Sequence, residues 1–206
     1  MRTLFIFLSL TFLFSSCVSI YFTETQPKNG KELTEIPKEL IGIWKNGNNG
    51  YSGFDKNGGI STSYIKDSLD NIIDTVYEKT PLSDSVKMFK AKDIYVLNFK
   101  EKGNPWEIIA LQVQKNGDIN GYWDNDPNLF SSDRDLKLLK SVYANEEGEY
   151  KTFTSLDPKS QEELSLKSAT FSGQMNFKTL KKMASKKRIL FILKKDGTIY
   201  YPSEAK

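Results

Sequence analysis

Three stretches of the sequence share one turn chemistry: Asp55-Lys56-Asn57-Gly58-Gly59-Ile60, Gln114-Lys115-Asn116-Gly117-Asp118-Ile119 and Lys194-Lys195-Asp196-Gly197-Thr198-Ile199. Asn-Gly and Asp-Gly pairs accept the positive φ angles that tight hairpins demand, so each stretch predicts a chain reversal between paired neighbours. Their likeness follows from shared turn physics, not from a repeat. Short runs of β-branched and aromatic residues surround them, at Ile60–Ile65, Ile72–Glu78, Val86–Ala91, Ile94–Phe99, Trp106–Gln114, Ile119–Asp124, Leu136–Tyr143, Leu164–Phe171, Arg188–Lys194 and Thr198–Tyr201. Most of the connections are too short to hold a helix, which restricts the chain to a mainly β, antiparallel fold.

Within these runs the faces differ. Ile119, Gly121 and Trp123 alternate onto one side, whereas Trp106 to Val113 is apolar on both, as expected of a central strand covered twice. That coverage predicts a strongly curled sheet, a sandwich or a helix lying across one face. One helix is predicted from about Asn176 to Lys186, where Phe177, Leu180 and Ala184 share a face and Asn176 stands at the cap. A shorter helical turn is predicted at Pro158, with Asp157 as its cap and Glu162 and Glu163 following.

The first residues have a different logic. Arg2 is followed by an apolar run from Leu4 to Phe14 and by Ser15-Ser16-Cys17, the anatomy of a secretory signal. The run is about half of the ~20 residues that span a bilayer as a helix. Phe14-Ser15-Ser16-Cys17 resembles the lipobox of bacterial lipoproteins, with Phe14 where that family usually carries Leu, Val or Ile. The resemblance implies removal of residues 1–16, lipidation of Cys17 as the new N-terminus, and anchorage in a membrane of the cell envelope. Several acyl chains, at ~0.8 kcal/mol per buried methylene, hold such a protein firmly. Val18, rather than Asp, follows the cysteine, which by the same resemblance favours the outer membrane.

Composition limits the chemistry. Cys17 is the only cysteine, so the fold rests on a packed core without disulfides. There is no histidine, which removes the commonest general base, the Ser-His-Asp and Cys-His arrangements and the usual zinc ligand sets. No spacing points to catalysis, to a metal or to another cofactor. The formal charge of +3 includes Arg2, so the mature chain is near balance and lacks the basic excess of a nucleic-acid-binding protein.

Residues 17–35 read as the lipidated N-terminus and a flexible tether, polar from Thr23 onward and broken by Pro27 and Gly30, with a coil dimension of about 25 Å. The apolar patch Val18-Ser19-Ile20-Tyr21-Phe22 has two further readings, as a headgroup contact or as an edge strand. Residues 36–206 are expected to form a single antiparallel β domain.

Leu40-Ile41-Gly42-Ile43-Trp44 carries a Gly-x-Trp sequence just before the first strands. It resembles the signature opening the first strand of lipocalin-like β-barrels. The resemblance implies an antiparallel barrel in which Gly42 and Trp44 are structural and Trp44 closes the base against an arginine of a late strand, the part that Arg188 would take by guanidinium–ring stacking.

Other clusters have plainer readings. Asp124-Asn125-Asp126-Pro127-Asn128 alternates oxygen ligands, with Asp135 where a twelve-residue calcium loop would close. Leu129 holds the position where such a loop needs glycine and the closing glutamate is absent, so a polar turn is expected. Lys178, Lys181, Lys182, Lys186, Lys187 and Arg188 make the predicted helix basic, the mark of a solvated face or of contact with anionic lipid or an acidic partner. Trp106, Trp123, Tyr64, Tyr122 and Phe54 suit either the wall of a ligand cavity or a β core. Together these features lead to the expectation of a non-enzymatic, lipid-anchored envelope protein that binds a small apolar ligand or an envelope component. The alternative is an assembly module that presents an edge or face to another envelope protein.

Overall fold

The computed structural model describes residues 18–47, 50–100, 103–145, 147–156, 164–185 and 188–202. Cys17, the turn expected at 157–163, and Lys186 and Lys187 lie outside them. The described chain is mainly β, with strands β1 (Ser19–Phe22), β2 (Lys31–Leu33), β3 (Gly42–Lys45), β4 (Gly50–Asp55), β5 (Gly58–Lys66), β6 (Ile72–Pro81), β7 (Val86–Ala91), β8 (Ile94–Phe99), β9 (Glu107–Val113), β10 (Ile119–Tyr122), β11 (Leu136–Ala144), β12 (Tyr150–Phe153), β13 (Ser165–Gly173), β14 (Ile189–Leu193) and β15 (Ile199–Tyr200). Two short helices interrupt them, α1 (Pro127–Ser131) and α2 (Phe177–Met183). Every strand expected from the sequence is present.

The strands form three sheets. Sheet A has the order β1-β13-β11-β12, sheet B the order β15-β14-β10-β9-β8-β7-β2, and sheet C the order β3-β4-β5-β6. Sheet B is the middle layer. Its odd and even residues serve two cores, as the double apolar character of β9 requires. Ile108 and Ala110 join Ile94, Val96 and Tyr122 against Ile20 and Phe22 of β1, Phe171 of β13, and Phe130 and Leu180 of the helices. Leu111 joins Met88, Leu97, Ile119, Phe191 and Leu193 against Ile36, Leu40, Trp44 and Phe54.

This arrangement corrects the barrel. Each sheet ends at its edges and none closes on itself or is strongly curled. The same alternation of apolar residues that would line a barrel here faces neighbouring layers.

The tether is corrected too. β1 runs parallel to β13, from Ser19 opposite Ser168 to Phe22 opposite Phe171, and Phe22 is fully buried. The edge-strand reading therefore describes the patch. β2 adds to the edge of sheet B beside β7. Between them, Gln26 is buried and joins two layers. Its backbone N–H donates to Asn98 Oδ1 (2.6 Å) and its carbonyl accepts from Asn98 Nδ2 (2.8 Å), while its side chain bonds Gly173 O (2.8 Å) and the Met175 N–H (2.6 Å). A polar segment can be interior when every polar group finds a partner.

The three Gly-containing turns do reverse the chain, joining β4 to β5, β9 to β10 and β14 to β15. Gly117 and Gly197 take φ values of 89° and 84° and close the same pattern, Gly117 N–H to Gln114 O (2.9 Å) and Gly197 N–H to Lys194 O (3.0 Å).

Candidate functional site

Sheet C presents the first candidate surface. Residues directly opposite one another in an antiparallel pair share a face. The rows Ile43–Gly53–Ile60–Lys79 and Lys45–Tyr51–Thr62–Tyr77 therefore lie on one face, followed by Tyr64 opposite Thr75. The intervening row, Trp44–Ser52–Ser61–Glu78, faces the opposite way, where Trp44 is buried in the core. The outward face thus carries Ile43 (58% exposed), Tyr51 and Tyr77 (58%), with Tyr51 and Tyr64 packed edge to face at 6.4 Å. β5 and β6 extend past the end of β4 as a two-stranded arm, on which Ile65, Leu69, Ile72 and Ile73 are exposed. At its tip Asp67 accepts from the Leu69 and Asn71 N–H groups, both at 2.9 Å, which folds the turn and holds the Asp67 carboxyl below its ordinary value, the Asn71 side-chain amide contributing most. Among the described residues the outer edge of β6 has no partner strand.

The second candidate is an open cleft of about 780 Å³ between the end of β10, the two helices and the start of β14. Its frame follows from local sequence. Asp126 caps α1 by accepting from the Asn128 N–H (3.0 Å), and Pro127 occupies the first turn, where its missing N–H costs nothing. Asn176 caps α2 by accepting from the Thr179 N–H (3.1 Å). Buried Asp133, just past α1, holds that cap through the Asn176 backbone N–H (2.9 Å) and side-chain amide (2.6 Å), which fixes one helix against the other.

Arg188 crosses the cleft wall. Its Nη1 pairs with Asp124 Oδ2, and its Nη2 lies 3.8 Å from Asp126 Oδ2. The other Asp124 oxygen accepts from the Asp126 N–H (2.9 Å). Burial pushes the Asp124 carboxyl above its ordinary value, outweighing the lowering by the Asp126 N–H and Arg188. With its side chain 2% exposed and both oxygens engaged, Asp124 serves as a strut for Arg188.

The structure therefore brings together residues that the sequence offered separately: Asp124, Asn125, Asp126 and Asn128, with Arg188 and Lys182 of the basic helix, all line this cleft, as does Trp123. It separates others. Arg188 does not stack on Trp44, which lies in the core on the far side of sheet B and donates from Nε1 to Lys194 O (2.9 Å). Gly42 sits beneath that indole, where a Cβ would come within 2.5 Å of the ring. Trp106 and Tyr122 fill one core and Phe54 the other, while Tyr64 lies on the arm. Lys178, Lys181 and Lys182 are exposed along α2. Among the described residues no three of His, Cys, Asp and Glu gather as a metal site, and no helix is long and apolar enough to cross a membrane.

The outward face of sheet C is not marked in the sequence. Both faces mix apolar and polar residues, Ile43, Lys45 and Tyr51 on one and Trp44, Ser52 and Ser61 on the other, so the pattern marks neither side as solvent. No family model matches the chain, and no curated protein or solved structure does either.

Proposed function

We propose that the chain is an exported lipoprotein, acylated at Cys17 and favouring the outer membrane, whose non-enzymatic β domain docks another protein of the cell envelope through the outward face of sheet C. The observation that supports this reading is the grouping of Ile43, Tyr51, Tyr77 and Ile73 on one exposed face and its arm. Clustered exposed apolar residues mark contact sites, and tyrosine is enriched at the centres of interfaces. Asp74, Glu78 and Lys79 along β6 discourage indiscriminate edge pairing and leave a surface for a matched partner.

The test uses the native, full-length protein in its own cells. A photo-crosslinking residue placed at Tyr77 or Ile73 is expected to trap one envelope protein, and the same residue at Lys178 on α2 is expected to trap none. Equal adducts at all three positions, or none at any, would remove the docking reading. Mass spectrometry of the mature N-terminus is expected to find Cys17 carrying acyl chains; a free thiol, or residues 1–16 still attached, would remove the anchor.

A further inference from the structure

The docking face does not use the cleft beside Arg188, and its chemistry selects a different kind of ligand. An anion entering would meet the half-exposed Asp126 carboxylate and a guanidinium already offset by buried Asp124. A cation would meet Arg188 and Lys182. With two acids and two bases in the lining, neither sign is favoured, and the exposed polar groups offer both donors and acceptors in fixed positions. An apolar ligand would strip water from these groups without replacing their hydrogen bonds, at a cost.

A neutral polyhydroxylated ring satisfies every one of these conditions. Each hydroxyl both donates and accepts, which suits a guanidinium flanked by carboxylates and the side-chain amide of Asn128. The ring's carbon face is apolar and flat enough to lie on an indole, and half-buried Trp123 lines the same cleft. The volume of about 780 Å³ falls within the ~300–1,000 Å³ of small-molecule sites. The Asp124–Arg188–Asp126 array and the Asp133–Asn176 brace hold this wall before any ligand arrives. Binding therefore orders few side chains.

We propose that the cleft bounded by Trp123, Asp126, Asn128 and Arg188 is a binding site for neutral glycans, taking one pyranose against Trp123 and its hydroxyls against the Arg188–Asp126 pair. The proposal stands independently of the docking face and of the lipid anchor.

It is tested on the full-length mature protein in detergent, displayed on an array of neutral oligosaccharides of glucose, galactose, mannose and N-acetylglucosamine, with sulfated and uronic-acid oligosaccharides alongside. Binding of at least one neutral oligosaccharide is expected, with a change in tryptophan fluorescence on titration. Trp123→Ala and Asn128→Ala are each expected to weaken that binding tenfold or more. Asn128 is exposed, so its variant keeps the native melting temperature and remains informative should Trp123→Ala misfold. The proposal is overturned if no neutral oligosaccharide binds, if only the charged ones bind, or if binding survives the Asn128 substitution unchanged.

Discussion

Asp118 and Lys195 tie two hairpin turns together: the Asp118 carboxylate at the end of the β9–β10 turn accepts a 2.9 Å hydrogen bond from the Lys195 backbone N–H in the β14–β15 turn. Asn116 Nδ2 (2.8 Å) and Lys194 Nζ (3.5 Å) approach its other oxygen. The Lys195 N–H, followed by Asn116 and Lys194, holds the Asp118 carboxyl below its ordinary value.

That shift sets a pH dependence. The folded pKa lies below the unfolded one, so the stabilisation is complete above the ordinary carboxylate range and is lost as pH falls through the folded value. Asp118→Asn is expected to lower the denaturation midpoint at pH 7 and to flatten the acid limb below the ordinary carboxylate pKa of ~3.9. Asp55, Asp67 and Glu39 are lowered as well, so the flattening is partial. Urea denaturation of both proteins across this range checks it; parallel profiles would exclude the role of Asp118.

Phe22→Ala tests whether the N-terminal segment belongs to the core. The ring is fully buried and packs edge to face on Phe130 at 5.4 Å. Its loss is expected to cost about 3–5 kcal/mol. A tether would tolerate the change, so an unaltered unfolding free energy would contradict the packing of β1.

Asn98→Ala leaves the buried N–H and C=O of Gln26 without the side chain that both now use. The expected cost is about 1–3 kcal/mol for each group left unpaired. Asn98→Asp restores the acceptor but removes the donor and buries a charge, so it is expected to be the more damaging of the two. Equilibrium denaturation at pH 7 ranks them, and the reverse order would contradict the two-way bond.

Gly42→Ala places a methyl against the Trp44 ring, with a loss of about 1–3 kcal/mol expected from overpacking. Gly47→Ala, where a Cβ would meet nothing within 4 Å but φ is +52°, serves as the comparison for backbone strain alone. Thermal melts of the two variants separate the effects; equal losses would mean that the indole gives way.

Ile73→Lys and Tyr77→Lys change residues that are 64% and 58% exposed, so stability is expected to stay within about 0.5 kcal/mol while capture of the proposed envelope partner is lost. Retained capture by both would move the contact elsewhere.

Local chemistry was legible where it decides structure by itself. Asn116-Gly117 and Asp196-Gly197 specify turns through the backbone angles that glycine permits, and Asn176 specifies a helix start through one side-chain bond. Assembly was not legible, because alternation of the kind seen in β9 suits a barrel wall as well as the middle of three layers. The N-terminal segment misleads for a related reason: Gln26 reads as solvent-facing until Gly173, 147 residues away, supplies its partner. Asp126 is a helix cap, but the five residues after it, from Pro127, give no periodicity to distinguish a helix from a polar turn. The Asp124–Arg188 pair spans 64 residues, a separation that no local pattern encodes.

The packing of β1 bears on how an acylated Cys17 would carry the domain. Val18 already lies against the core and Ser19 opens the strand, so one residue, about 3.5 Å of chain, separates the acyl site from folded protein. Such a mount has almost no lever arm. The body would sit at a set height and tilt above the lipid, reaching only molecules within its own radius of the bilayer plane.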